Sequence, residues 1–412
     1  MSNIFCNILE CIKQKDYEKA HGILWSIEKE STLSWHRAYL TGFCLMKMGD
    51  IPESIIYYKK SLAIFPQQPI TLNALGISYH KLGNLTKHLG GAQIWCKDVS
   101  AINGDAHKAY HATVNALICK ESGKKALAGD TGAGMFGKNL AMAAKEMKLK
   151  AKIFMGTKDI SRQALNVKFM KKAGAEVVPV DTGSRTLVDA VSECMRFYVS
   201  NCQTTHLAVG SAIGANVFLK ICAWSTSQIS RELKSQIIKE FGKIPKLHLL
   251  NVIGGGSSAI GFWNEFINYS KNHIKLIGVE AKHAAPLTTN AKIAILHGAA
   301  QYCLQDKNGQ IADTHSISAG LDYPGVSPLH CMLKDTKRAK YTSCSDEGAL
   351  NALKLIWKYE NLRPSLEPAH AWAECIRIAP KLKKDEVIIV NNCGSGSKDA
   401  KIIKNKIGYY PK

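Results

Sequence analysis

LHLLNVIGGGSSAIGFWNEFI, residues 247–267, reads as a buried strand, a glycine turn and a helix in direct succession. The run from Leu247 to Ile253 is largely apolar without alternation, the pattern of a parallel strand covered on both faces. After Gly254, Gly255 and Gly256, Ser257 and Ser258 open an apolar-periodic segment of helical period. A loop in that setting points backbone amides at a helix N-terminus and suits a phosphate. A triple glycine after a strand is also a plain tight turn, and both readings stand on the loop alone.

The same texture extends outward from this stretch. ALAGD (126–130), AKIFMG (151–156), EVVPV (176–180), IKLIGVEA (274–281) and EVIIVNN (386–392) read as further buried strands, with helix-length segments such as 137–149 and 161–173 between them. Strands alternating with helices imply an α/β fold with parallel sheets, and ligands in such sheets sit at the carboxyl ends of the strands. Asp130, Thr131, Gly132, Ala133 and Gly134 form a second strand-to-helix loop, suited to a carboxylate. Two anion cradles imply a phosphorylated cofactor and an acid substrate.

At 412 residues the chain exceeds a single core, so two or three units are expected. The formal charge of +21 is spread along the chain instead of gathered into a run with stacking aromatics, which favours a solvated basic surface over nucleic-acid binding. No apolar run approaches the roughly 18 residues of a membrane span, so no membrane is expected as partner. The first residues, MSNIFCNILECIKQKDYEKA, lack the order of a signal peptide, and the 13 cysteines are scattered without zinc spacing. The cytoplasm is the expected compartment.

Residues 1–85 repeat with a 34-residue period: Ala20, Leu24 and Ile27 map onto Ser54, Tyr58 and Ser61, and Gly42, Leu45 and Gly49 onto Gly76, Tyr79 and Gly83. This resembles the tetratricopeptide repeat, with LNALGISYHKLGN (72–84) as its first-helix pattern. Two repeats do not bury a continuous core, so the segment is expected to lean on the rest of the chain or on a protein partner.

Residues from about 85 to 400 resemble the tryptophan synthase beta chain, through LTKHLGGAQIW, DAHK, GDTGAG, SRQALNVKFMKKAGAEVVPVDTGSRTL, VIGGGSSAIG, IGVEA, LQDKNGQIADTHSISAGLDYPGV, SLEPAHA and GSGSKD, and residues 86–412 are expected to form the catalytic domain. The resemblance implies fold type II of the pyridoxal 5'-phosphate (PLP) enzymes, an α/β fold of two parallel-sheet subdomains, here behind a short all-α repeat segment. It also implies a homodimer acting on a small amino acid. By motif, Lys108 would carry the cofactor as a Schiff base, which among side chains only lysine can form. His107 would meet the cofactor phosphate; Gly254, Gly255, Gly256, Ser257 and Ser258 would bind it. Glu367 would approach the PLP ring, and Cys393 would face its pyridine nitrogen. Thr131, Gly132, Ala133, Gly134, Met135 and Phe136 would hold the substrate carboxylate, and Asp322 would touch the hydroxyl side. A monovalent cation would sit on the backbone carbonyls of Ile253, Leu321 and Tyr323. The implied reaction is β-replacement on L-serine, with indole as the family's nucleophile.

Departures from the family gather around the acceptor. Asp130 stands where the family has Glu, Met135-Phe136 replace a Gln-His pair, and Ala215 to Leu219 replace PHPYP. Cys393 replaces a serine, Ser395 and Ser397 an arginine and an aspartate, and Asp98 to Ala101 the REDL run. Asp130 is one methylene shorter than Glu, so indole is expected to be used poorly, or another nucleophile or water to take its place. The changed N-terminus also makes an alpha-chain partner doubtful. A reading of another class, a repeat-bearing binding protein without turnover, conflicts with the joint retention of Lys108, the phosphate loop and Asp322.

Overall fold

The computed structural model describes residues 78–411 apart from 101 and 103, together with residues 10–12, 14–26, 40, 41, 44–46, 48, 53 and 57. The chain forms two compact units, Met1–Ile77 and Ser78–Lys412. In the first, the helix Tyr17–Ser26 buries Ala20 and Leu24 against Cys11, Leu40 and Cys44. Most of the two-repeat reading lies outside the described residues.

The second unit carries two sheets. β1 (Ser78–Lys81), β2 (Gln93–Asp98), β7 (Leu247–Ile253), β8 (Ile274–Ala281), β11 (Ala339–Cys344) and β12 (Val387–Asn392) form the larger, in the order β1-β2-β12-β7-β8-β11. All its pairings are parallel except β1 with β2. The smaller is fully parallel: β5 (Glu176–Val180), β4 (Lys150–Gly156), β3 (Ala126–Asp130) and β6 (Thr205–Ala208), in that order. β9 (Lys292–Leu296) and β10 (Ala299–Cys303) make a separate antiparallel hairpin. Every residue of β7 and β12 is buried, which is why their sequences run apolar without alternation. Each strand expected from the sequence forms, with limits shifted by at most a few residues. The expected helix at 137–149 runs Met135–Glu146, and that at 161–173 breaks at Gln163 into Thr157–Arg162 and Ala164–Lys172.

The helical reading of residues 72–84 fails at its end. Ser78–Lys81 is an edge strand, with Tyr79 opposite Lys97 and its ring stacked on Trp95 at 4.7 Å. Leu82 and Leu85, at the start of the helix Gly83–Leu89, are buried in the core of the large sheet. Pairing with a free strand edge and burying two leucines outweigh a local helical pattern. The second compact unit starts at Ser78.

Candidate active site

The carboxyl ends of β3, β6, β7 and β12 converge on one cavity, lined among others by Lys108, Asp130, Gly210, Gly255, Tyr323, Glu367 and Cys393. Behind β7 the glycine loop is shaped by its neighbours. A Cβ on Gly254 would lie 2.6 Å from the Gly320 carbonyl, one on Gly255 2.3 Å from the Ser211 hydroxyl, and one on Gly256 2.2 Å from the His330 ring. Gly256 also takes φ +96°, a left-handed backbone that other residues rarely adopt. The helix Ser257–Trp263 opens directly after it, and its first amides have no intrahelical acceptor.

Lys108 begins the helix Lys108–Glu121, and its amine donates to the Gly210 carbonyl. Burial pulls this amine below the ordinary lysine value, with Asp130, Cys393 and Glu367 opposing. His107 lies against the glycine loop: its Nδ1 is 3.3 Å from the Cys393 carbonyl and its Nε2 2.9 Å from the Ser257 hydroxyl. A carbonyl only accepts, so Nδ1 carries the proton and Nε2 accepts from Ser257. Burial, with the adjacent Lys108, pushes His107 down to about 3, so it is a neutral ring at any working pH.

Asp130 closes β3 with its carboxylate fully buried. Oδ1 accepts from the Gly210 amide at 2.9 Å, and burial lifts the group to about 6. Met135 and Phe136 line the same side of the cavity, and Phe136 is backed by a parallel stack with His111 at 4.6 Å. Leu187, Ile213 and Tyr323 complete this apolar wall.

On the opposite side Cys393 follows β12, buried beside Ser258, and burial pushes its thiol up to about 12. Glu367 accepts from Lys398 at 2.9 Å, and Lys398 also binds both oxygens of Asp399. Glu367 is desolvated, but the Lys398 ammonium prevails and holds its carboxyl down near about 2.

Asp322, Gly134 and Ile253 do not line the cavity. The Asp322 carboxylate is taken by Arg162, 3.1 Å from both terminal guanidinium nitrogens, and by the Thr314 hydroxyl at 2.8 Å. Arg162 is shared with Asp159. Gly134 caps the helix Met135–Glu146 at φ +77°, packed on Asn166. The Leu321 carbonyl accepts the Tyr323 amide at 3.0 Å, and no His, Cys, Asp or Glu cluster among the described residues could hold a metal ion, so the cation at Ile253, Leu321 and Tyr323 rests on the resemblance. Gly210, Lys398 and the Tyr323 side chain are site residues that sequence reasoning did not single out. Only Lys398 had a signal, as the lysine of GSGSKD.

A family model described as pyridoxal-phosphate dependent enzyme matches residues 70–394. The chain is 40% identical over 331 residues to the tryptophan synthase beta chain of Chromobacterium violaceum, covering 78% of this chain and 82% of that one. The chain belongs to the tryptophan synthase beta family of PLP-dependent enzymes. Solved structures show the same fold. A diaminopropionate ammonia lyase from Escherichia coli superposes with a TM-score of 0.64 at 19% identity, over 80% of this chain and 86% of that one. An L-serine ammonia-lyase from Rhizomucor miehei gives 0.61 at 14%, over 80% and 98%.

The cavity fits the cofactor that the tryptophan synthase beta family uses. The glycine cradle has no room for side chains where a phosphate would approach. Ser365 Oγ and Glu367 Oε2, on two residues that line the cavity, are buried and have at most each other as hydrogen-bond partner. Such atoms are rare unless a ligand or water satisfies them. Lys108 is the one lysine of the cavity not held by carboxylates, since Lys398 is bound by two.

Proposed function

We propose that the chain catalyses β-replacement on L-serine after the manner of tryptophan synthase beta, with an acceptor pocket that disfavours indole. The observation that carries this reading is that Lys108 and Asp130 are both joined to Gly210, in the cavity that the glycine cradle also lines.

Bound in the cavity, PLP supplies an electron sink for charge developing at the amino acid α-carbon. The chain's own residues do the rest. The amides of residues 254–258 hold the phosphate, with His107 fixing the Ser257 hydroxyl. Lys108 would hold the cofactor, and its Nζ would take the α-proton of the bound amino acid. The amides from Thr131 to Phe136 orient the serine carboxylate. Cys393, a neutral thiol, would not hold a ring nitrogen beside it as a charged pyridinium, which would favour elimination over transamination. Glu367, held ionised by Lys398, borders the ring. Asp130 is the one carboxylate of the acceptor side and can take a proton from an incoming N–H or S–H group. Its tie to the Gly210 amide draws it back from the position a longer Glu would reach.

The test is to add serine to the purified holoenzyme and follow the cofactor spectrum with and without indole. A serine-dependent spectral change that indole reverses slowly, and that Asp130→Glu reverses faster, supports the reading. A wild type that consumes indole rapidly and is slowed by Asp130→Glu establishes plain tryptophan synthesis instead.

A further inference from the structure

His297 occupies a place that no reading of the sequence assigned. It forms, with Gly298, the two-residue turn of the β9–β10 hairpin, and both residues have positive φ, 53° and 79°. Such a turn is ordinarily made by Asn, Asp or Gly, and histidine is among the other residues that tolerate positive φ. Its ring is turned inward. Nε2 is 3.1 Å from the Val188 carbonyl and 3.2 Å from the Ser192 hydroxyl, and Nδ1 is 2.8 Å from the Tyr323 hydroxyl. Since a carbonyl only accepts, Nε2 carries the proton and Nδ1 accepts from Tyr323. Its backbone carbonyl lies so close to Gly214 that a Cβ there would approach it to 3.0 Å.

All of these contacts except that to Ser192 are at, or next to, a residue of the cavity wall. Tyr323 lines the cavity itself; Val188 follows Leu187, and Gly214 follows Ile213. Leu187, Ile213 and Tyr323 belong to one apolar cluster, into which Leu296 also packs. A buried tyrosine hydroxyl in such surroundings needs a partner; His297 stands at 2.8 Å, with the Gln301 side chain as a second neighbour of the hydroxyl. This wall lines the same cavity as Asp130 and Phe136, which the proposed function takes as the acceptor side. The glycine cradle, Lys108, Glu367 and Cys393 lie on other elements and make no hydrogen bond with this group.

We propose that His297 is a positioning residue for the second substrate: through Tyr323 and the start of the helix Leu187–Asn201 it holds the apolar wall closed against water and shaped for the acceptor. This rests on the β-replacement reading above. His297→Asn keeps a residue that tolerates the turn but is too short to reach Tyr323. Tyr323→Phe removes the same bond from the other end while leaving the ring.

In each variant holoenzyme two quantities are measured with serine alone: the half-saturating serine concentration, from the cofactor spectrum, and the rate of pyruvate release. A third, hydrogen exchange of the residue 292–303 amides, is read without substrate. Both variants are expected to hold the serine half-saturation within about twofold, to raise pyruvate release roughly tenfold, the factor one lost hydrogen bond is worth, and to speed hairpin exchange. Unchanged pyruvate release, or a change matched by an equal change in serine half-saturation, overturns the proposal. A wild type with no spectral response to serine overturns the β-replacement reading, and the proposal falls with it.

Discussion

Lys108 and Asp130 are held by opposite ends of one residue: the Lys108 amine donates to the Gly210 carbonyl, and the Gly210 amide donates to Asp130 Oδ1 at 2.9 Å. The cofactor-bearing amine and the acceptor-side carboxylate thus share a single peptide-level scaffold on the loop after β6. A Cβ on Gly210 would lie 2.8 Å from Asp130 Oδ2 and 2.9 Å from Phe136 Cδ1.

Gly210→Ala should therefore displace both groups together. Displacement near 1 Å costs roughly 100-fold where catalysis depends on positioning, so turnover should fall by that order while the protein still binds PLP. Steady-state rates and cofactor content of the purified variant check this; near-normal turnover would show that Gly210 does not couple the two groups.

Asp130 should impose an acid limb on the acceptor step. Its folded value of about 6 lies above its ordinary 3.8, so it is ionised above pH 6 and takes up a proton below it. Acceptor turnover should fall about tenfold per unit below that point if the carboxylate acts as base. The stability contribution runs the other way. Because the folded state binds the proton more tightly than the unfolded, Asp130's contribution to stability rises as pH falls from 6 towards 4. Asp130→Asn should flatten both trends, checked by pH-rate profiles and urea midpoints.

Lys398 bridges Glu367 and Asp399, and all three are buried. Lys398→Met should leave two carboxylates without their counter-ion and cost about 3–5 kcal/mol, read from urea unfolding. A loss below about 1 kcal/mol, the worth of an exposed pair, would mean the group is solvated in solution.

Where the catalytic unit begins can be tested by truncation. Starting at Ser78 keeps β1 and the buried Leu82 and Leu85, whereas starting at 86 removes them, at about 2–5 kcal/mol for each leucine. Residues 78–412 should melt cooperatively, and residues 86–412 should be insoluble or strongly destabilised. Equal melting would place the boundary where the repeat pattern put it.

The contrast between these residues shows which features are legible in a sequence. β7 and its glycine loop were readable because both signals are local: an unbroken apolar run and three glycines at a strand end. Lys108 was readable only through the DAHK motif, since a lysine among 54 basic residues has no distinguishing pattern. β1 was missed because a four-residue edge strand owes its form to β2, not to its own composition. Asp322 was expected at the substrate, but Arg162, 160 positions earlier, holds its carboxylate, and a charge pair across that distance leaves no periodic trace. The tie through Gly210 and the wall held by His297 are likewise products of tertiary contact.

The central claim is that Lys108 carries the cofactor. The direct measurement is to reduce the PLP-saturated protein with borohydride, digest it, and locate the phosphopyridoxyl mass by peptide sequencing. The mass should fall on Lys108, and Lys108→Ala should lose both the label and the yellow colour of the wild type. Label on another lysine, or a wild type that binds no PLP at saturating concentration, would contradict it.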